Sequence, residues 1–181
     1  MMSDENDMVN GLRAGDPAAV TWLVDTFGRR LLRTAVLLCG CEPDAQDAVQ
    51  ETLITALKAI QRFRGGSTLS TWLHGILINV TRHIIRARKP TLPLDGIAEQ
   101  AAHDNPAGDC ARQDDARAVR AAVAALPLEH REIIVLRYFH DLKIDEIAAQ
   151  LGLRSGTVKS RLHYATQHLR ALLPHDLADT Q

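Results

Sequence analysis

Apolar residues recur along this chain at steps of three and four, and β-branched alternation at steps of two is scarce, so the pattern predicts helices throughout. Val20, Leu23, Val24, Phe27, Leu31, Ala35 and Leu38 share one helical face. Asp16-Pro17 opens that helix, with Asp16 as N-cap and Pro17 at the first helical position, and Gly40 closes it. A helix over about residues 4–14, capped by Ser3 and ended by Gly15, precedes it. A third runs from about residue 43 to 60, with Val49, Leu53, Ala56, Leu57 and Ile60 inward. The glycines of Arg62-Phe63-Arg64-Gly65-Gly66-Ser67-Thr68 mark a loop. A fourth helix follows over about 69–88, with Leu69, Leu73, Ile76, Leu77, Val80 and Ile84 as its core face. Pro90 breaks it, and no steady period returns until about residue 112.

From there Ala116, Val119, Val123 and Leu126 form a helix that Pro127 stops, and a helix over 128–139 carries Ile133, Ile134, Leu136 and Tyr138. The most informative stretch comes next, over residues 141–162. Ile144, Ile147, Ala148 and Leu151 give a short amphipathic helix. Gly152 supplies the residue that tolerates φ > 0 at its end, and Ser155 is placed to cap a second helix. Val158, Leu162, Ala165, Leu169 and Leu172 form the stripe of that second helix. This is a helix-turn-helix pattern. Its second helix carries Arg154, Ser155, Thr157, Lys159, Ser160 and Arg161 at its N-terminal end, where such helices reach phosphates and base edges. A helical hairpin with a solvated basic end has the same pattern.

The chain has 181 residues, 46% of them hydrophobic and 4% aromatic, which suits an all-α protein and allows one domain or two small ones; the reading of two small helical domains comes from the acidic linker between them. Net charge is −1, so any binding to nucleic acid must come from local faces. The distribution is more telling. Residues 91–115 carry one Lys/Arg against six Asp/Glu, and read as a flexible acidic linker between two mildly basic blocks. The expected organisation is a first domain over 1–90, the linker over 91–111, a second domain over 112–175 with the helix-turn-helix at about 143–165, and a tail over 176–181. No apolar run is long enough for a membrane span, and the acidic N-terminus lacks the regions of a signal peptide, so a cytoplasmic protein is expected.

Two further faces could carry chemistry. At about 100° per residue, Trp72, Asn79, Arg82, Arg86 and Lys89 fall together on the fourth helix. An aromatic ring, an amide and three cations suit single-stranded nucleic acid, where bases stack and the amide reads their edges. A half-buried tryptophan among solvated cations is the plainer reading. On the third helix Asp44, Asp47 and Glu51 fall opposite the apolar face, with Gln50 beside them. Acids there favour the positive end of the helix dipole, and an acidic stripe can also dock on a basic partner.

Cys39, Cys41 and Cys110 are an odd count in a chain expected to be cytoplasmic, against a disulfide framework. No second ligand pair accompanies Cys39-Gly40-Cys41 to complete a zinc site, so no metal or other cofactor is expected. The eight histidines are scattered, and no nucleophile–base pair or phosphate loop is visible, so an enzyme is not expected.

Taken in order, these pieces resemble the bacterial extracytoplasmic-function (ECF, group IV) sigma factors of RNA polymerase, over roughly residues 16–89 and 117–173. Asp44-Ala45-Gln46-Asp47-Ala48-Val49-Gln50-Glu51-Thr52 is similar to the family's region 2.2. Phe63-Arg64-Gly65, Thr71-Trp72-Leu73, Ile76 and Asn79 are similar to regions 2.3 and 2.4. Leu126-Pro127, His130-Arg131, Ile134 and Leu136-Arg137 are similar to region 4.1, and Glu146-Ile147-Ala148, Leu151-Gly152 and Gly156-Thr157-Val158-Lys159-Ser160-Arg161-Leu162 to region 4.2.

The resemblance implies that Asp44, Asp47, Gln50 and Glu51 bind the clamp helices of the polymerase β′ subunit. It implies that Phe63, Arg64, Trp72, Asn79, Arg82 and Arg86 open and hold the promoter −10 element. Melting costs roughly 1.4 kcal/mol per base step, which captured bases must offset. It implies that Arg154, Ser155, Thr157, Lys159, Ser160 and Arg161 read the −35 element, that the second domain docks on the β flap, and that an anti-sigma factor controls the chain. Two positions depart from the pattern: Gln46 stands where the family usually has Glu, and His83 where Asp is common. A stand-alone helix-turn-helix regulator shares the second domain but leaves the acidic helix and the Trp72–Asn79 face without a use.

Overall fold

A computed structural model describes residues 2–88 and 110–173. Eight α-helices account for most of them: α1 Met2–Ala14, α2 Pro17–Cys39, α3 Glu42–Ala59, α4 Leu69–Ala87, α5 Cys110–Ala125, α6 Leu128–Ile134, α7 Ile144–Leu151 and α8 Ser155–Leu172. No strand occurs among the described residues. The expected linker falls almost entirely outside them, although α5 begins at Cys110, slightly before the expected start.

Local sequence chemistry accounts for several helix ends. Asp16 caps α2, its Oδ1 accepting from the Ala18 N–H at 2.9 Å. Gly40 ends α2 at φ +79°, and its N–H donates to the Val36 carbonyl at 2.9 Å. Thr68 caps α4, accepting from the Thr71 N–H at 3.1 Å. Gly152 sits at φ +66° between α7 and α8. Three expectations need correction. Ser3 lies inside α1 and not before it. Arg154, not Ser155, is the N-cap of α8, and the Ser155 hydroxyl donates instead to Asp145 Oδ1 at 2.6 Å. The helix expected over 128–139 is α-helical only to Ile134; Val135–Phe139 is a wider π turn, after which the chain reverses through Asp141 at φ +52°.

The first core forms where α2, α3 and α4 bring together Leu23, Phe27, Leu31, Ala48, Leu73 and Leu77. The small Ala45, Ala48 and Ala56 let α3 approach closely. The second core holds Val123, Leu126, Ile133, Leu136, Ile147 and Val158 from α5 to α8. It is not self-contained, because Leu37 and Leu38 of α2 and Ile78 of α4 are buried in it. The two halves therefore pack directly on each other, with α2 against α5, α6 and the π turn.

This contact explains the residues whose burial the periodicity misplaces. Thr34, Leu37, His74, Ile78 and Glu132 are buried because the other half covers them. Val24 and Leu172, placed on core stripes by spacing, are 44% and 50% exposed because nothing packs over them, and Tyr138 on the π turn is 62% exposed.

The helix-turn-helix depends on Ile147, fully buried between α7, α8 and the rest of the second core. Replacing Ile147 with Ala should lower the unfolding free energy by about 2–5 kcal/mol, the usual cost of such a cavity, as read by denaturant unfolding.

Candidate nucleic-acid interface and acidic helix

α8 presents its N-terminal end outward because Val158 and Ala165 anchor the opposite side of the helix. Arg154, Lys159 and Ser160 are exposed, and Thr157 is half-buried. Ser160 Oγ donates to the Thr157 carbonyl at 3.0 Å. Arg161 is held sideways by an ion pair with Glu129 of α6 at 2.5 Å. Glu146, in the first turn of α7, accepts from the Lys143 N–H at 2.7 Å and stiffens the entry to the turn. The result is a rigid helix end with two free cations, Arg154 and Lys159, and a third that can exchange its carboxylate partner. Such an end fits a major groove.

The face of α4 is built differently. Phe63 leans on Trp72, ring centroids 5.2 Å apart at 43°. The start of the loop is tied to α1: Arg13 donates to the Phe63 carbonyl at 2.5 Å, and Gln61 donates to the Arg13 carbonyl at 2.9 Å. Beyond it Arg64, Gly65 and Gly66 are exposed, with Gly65 at φ +72°. Trp72 is half-buried, Asn79 and Arg86 are exposed, and His83 is exposed one turn beyond Asn79. Lys89, expected on this face, lies outside the described residues. Trp72 and Asn79 line a cleft of about 650 Å³ whose far wall is Glu146, Ala149 and Gln150 of α7. Gln150 bridges it, donating to the Thr71 carbonyl at 3.4 Å.

Arg82 does not share that openness. Its guanidinium makes a fork with Glu132 of α6, Nε to Oε1 and Nη2 to Oε2, both at 2.6 Å. Glu132 is 1% exposed. The bond to Glu132 raises the Arg82 pKa against the opposing effect of burial. Glu132 is not among the residues that the hydrophobic pattern singles out. Its signal is a lone carboxylate four residues before the buried Leu136, on the inward stripe of a helix.

Along α3, Asp47, Gln50 and Glu51 are exposed on one face. Gln46 joins them, donating to Glu42 at 3.4 Å. Asp44 corrects the expectation of a single open stripe, because it is 3% exposed and ion-paired with Arg88 at the end of α4. It sits in the first turn of α3, where the helix dipole also favours a carboxylate. Beside it, burial, reinforced by the charge of Asp44, pushes the Cys39 thiol up to about 12. Among the described residues no group of three or more His, Cys, Asp or Glu could hold a metal ion, and no helix is long and apolar enough to cross a membrane.

Comparison with known proteins places both halves. Residues 23–91 match the family described as Sigma-70 region 2, and residues 116–169 match Sigma-70, region 4. The ECF RNA polymerase sigma factor SigE of Mycolicibacterium smegmatis is 35% identical over 173 residues, covering 92% of this chain and 67% of the relative. The ECF RNA polymerase sigma factor SigM of Mycobacterium tuberculosis is 34% identical over 163 residues, covering 88% of this chain and 80% of the relative. Among solved structures, the sigma factor RpoE in complex with the anti-sigma factor NepR from Bartonella quintana superposes with a TM-score of 0.65 at 27% identity, covering 84% of this chain and 94% of that one.

Two outcomes follow from the surroundings of α3. Asp44→Asn should lower stability by about 1–3 kcal/mol, the range for losing a hydrogen bond to a charged group, while Asp47→Asn leaves it within about 0.5 kcal/mol. Thermal unfolding of both variants checks this. At pH 8, iodoacetamide should label Cys41 well before Cys39, because the thiolate is the nucleophile; peptide mass spectrometry reads the order.

Proposed function

Because the chain belongs to the ECF family of RNA polymerase sigma factors, we propose that its three polar faces divide the work of that family's members. The chain binds core RNA polymerase and directs it to specific promoters for transcription initiation. What carries the assignment of faces is their order: acidic α3, the Phe63–Trp72 loop and α4, then the helix-turn-helix, within the two matched regions.

On this reading Asp47, Gln50 and Glu51 meet the β′ clamp helices, and Asp44 serves that face indirectly by fixing the start of α3 to Arg88. Phe63, Arg64, Trp72, Asn79 and Arg86 take the unpaired bases and backbone of the −10 element. Arg82 joins them once Glu132 releases it. Arg154, Thr157, Lys159, Ser160 and Arg161 read the −35 element, with Ser155 positioned by Asp145. The exposed Tyr138 and Phe139 of the second half suit the β flap. The protein carries out no covalent chemistry of its own, works in the bacterial cytoplasm, and is held off by an anti-sigma factor. That partner is supported by the RpoE–NepR complex, whose sigma factor is similar to 84% of this chain.

In vitro transcription with core polymerase on DNA upstream of this protein's own gene and of unrelated genes tests the assignment. Discrete start sites that depend on this protein are expected. Binding to duplex DNA alone at nanomolar concentration, with no new start sites, would favour the stand-alone regulator. Arg161→Ala should weaken discrimination at the −35 element by about 1–3 kcal/mol, the value of one good base contact, read as loss of yield from intact but not from −35-scrambled promoters. Asp47→Arg should weaken comigration with core polymerase on a sizing column while the helical content stays unchanged.

A further inference from the structure

The contact between the halves contains a pair of rings that none of the three faces uses. His74 of α4 and His140, which follows the π turn, lie with ring centroids 3.9 Å apart at 54°. Their hydrogen bonds decide where the protons sit. His74 Nδ1 is 2.6 Å from the Ser70 carbonyl, which can only accept, so Nδ1 carries the proton. That leaves Nε2 with a lone pair, and it is buried with no partner. Thr34 donates its hydroxyl proton to the Arg30 carbonyl at 3.0 Å, so its oxygen accepts from the Nε2–H of His140, also at 3.0 Å. Both rings are thus accommodated as neutral imidazoles. A further proton on His74 would form an N–H with no acceptor, pressed against a second ring.

The surroundings add to that cost. The rings line a cavity of about 280 Å³, where Arg30 of α2 is the other titratable group. α4 contributes hydroxyls to the lining, and the second half contributes Leu136 and Leu142. Asp141, next to His140 in the chain, is exposed. Arg30 faces the pair as a positive charge that disfavours protonation of either ring.

We propose that the His74–His140 contact is a proton-operated latch: as neutral rings the pair holds the two halves together, and when protonated it drives them apart, freeing Arg82 from Glu132. The consequence for promoter binding rests on the reading of α4 given above; the latch itself does not.

The direction follows from linkage. In the closed form, burial first, then His74 and Arg30, push His140 down to about 3. Burial also lowers His74, against the opposing bond to Ser70. In the open form both rings return toward the ordinary value of about 6.5. The latch is therefore complete above about 6.5 and weakens as pH falls. Each histidine costs the closed form about tenfold in population per pH unit below that value, until its closed-state pKa is reached.

Small-angle scattering of the full chain from pH 7.5 to 5.0, with circular dichroism at each point, tests the latch. The radius of gyration should rise as pH drops through 6.5 with helicity unchanged. The double variant His74→Gln, His140→Gln keeps an N–H for Thr34 without a titrating group, and should show no rise. An equal expansion of both proteins, or none in the parent chain, overturns the proposal. Should the variant misfold, NMR titration of the ring protons in the unsubstituted chain decides. Both rings should resist protonation until expansion begins, and titration near 6.5 without expansion refutes the latch. Neither readout uses DNA or polymerase, so failure here leaves the assignment of faces standing, and failure of that assignment leaves the latch.

Discussion

Glu132 is a carboxylate with almost no access to water, and the fork from Arg82 is what makes its position tenable. A buried charge without a partner costs several kcal/mol, so the closed packing of the two halves depends on this pair being made. Arg82 itself keeps a quarter of its side chain exposed and can return to water at little cost. The dependence is one-sided: opening the contact strands no cation, but leaves a carboxylate that must be hydrated. Separation of the halves does that hydration, so the pair acts as a condition for closure more than as a source of stability. Arg131, which donates to the Leu38 and Leu126 carbonyls, ties the same junction through backbone.

The helices, and those of their ends whose causes are local, were legible in the sequence, while the N-caps expected at Ser3 and Ser155 and the run of α-helix to Phe139 were not found. Asp16-Pro17, Gly40 and Gly152 each act within one turn of helix, and their chemistry can be read from a few residues. The helix-turn-helix was legible for the same reason, with Ile147 and Val158 at helical spacing on either side of a glycine. The junction between halves was not. A contact between residues 50 positions apart, such as Arg82 and Glu132, leaves no periodic trace. A single acid on an apolar stripe is its only mark. Asp44 illustrates the same limit at shorter range. Angular position put it with Asp47 and Glu51, but the end of α4 covers it, and no periodicity within α3 reports a neighbouring helix.

α4 has to satisfy three environments at once. Leu69, Leu73 and Leu77 belong to the first core, Ile78 belongs to the second, and Trp72, Asn79 and Arg86 look outward. A helix with apolar residues on so much of its circumference has little room for redundant polar contacts. The face proposed to meet the −10 element and the face that meets the second half therefore adjoin, and Arg82 belongs to both. The cleft lined by Trp72 and Gln150 is the space left where these two uses meet.

That adjacency sets the energetics of the proposed function. When a protein reaches its binding-competent form only part of the time, its apparent affinity falls by that fraction. Internal contacts between the halves thus reduce affinity for any DNA that needs α4 open, without a change in the contacts to DNA. A partner that binds the two halves apart removes the reduction, and gains nothing from a half that is already free. Polymerase, which on this reading holds the first half at the clamp and the second at the flap, is such a partner. An anti-sigma factor that favours the closed form works in the opposite direction on the same equilibrium. Glu132, His74, His140 and Arg131 sit at the junction and outside the three faces, and Arg82 belongs both to the junction and to the α4 face. On this reading substitutions at the junction change how often α4 is open, and so act on the −10 step first, whereas substitutions within one face act only on that face's own contacts.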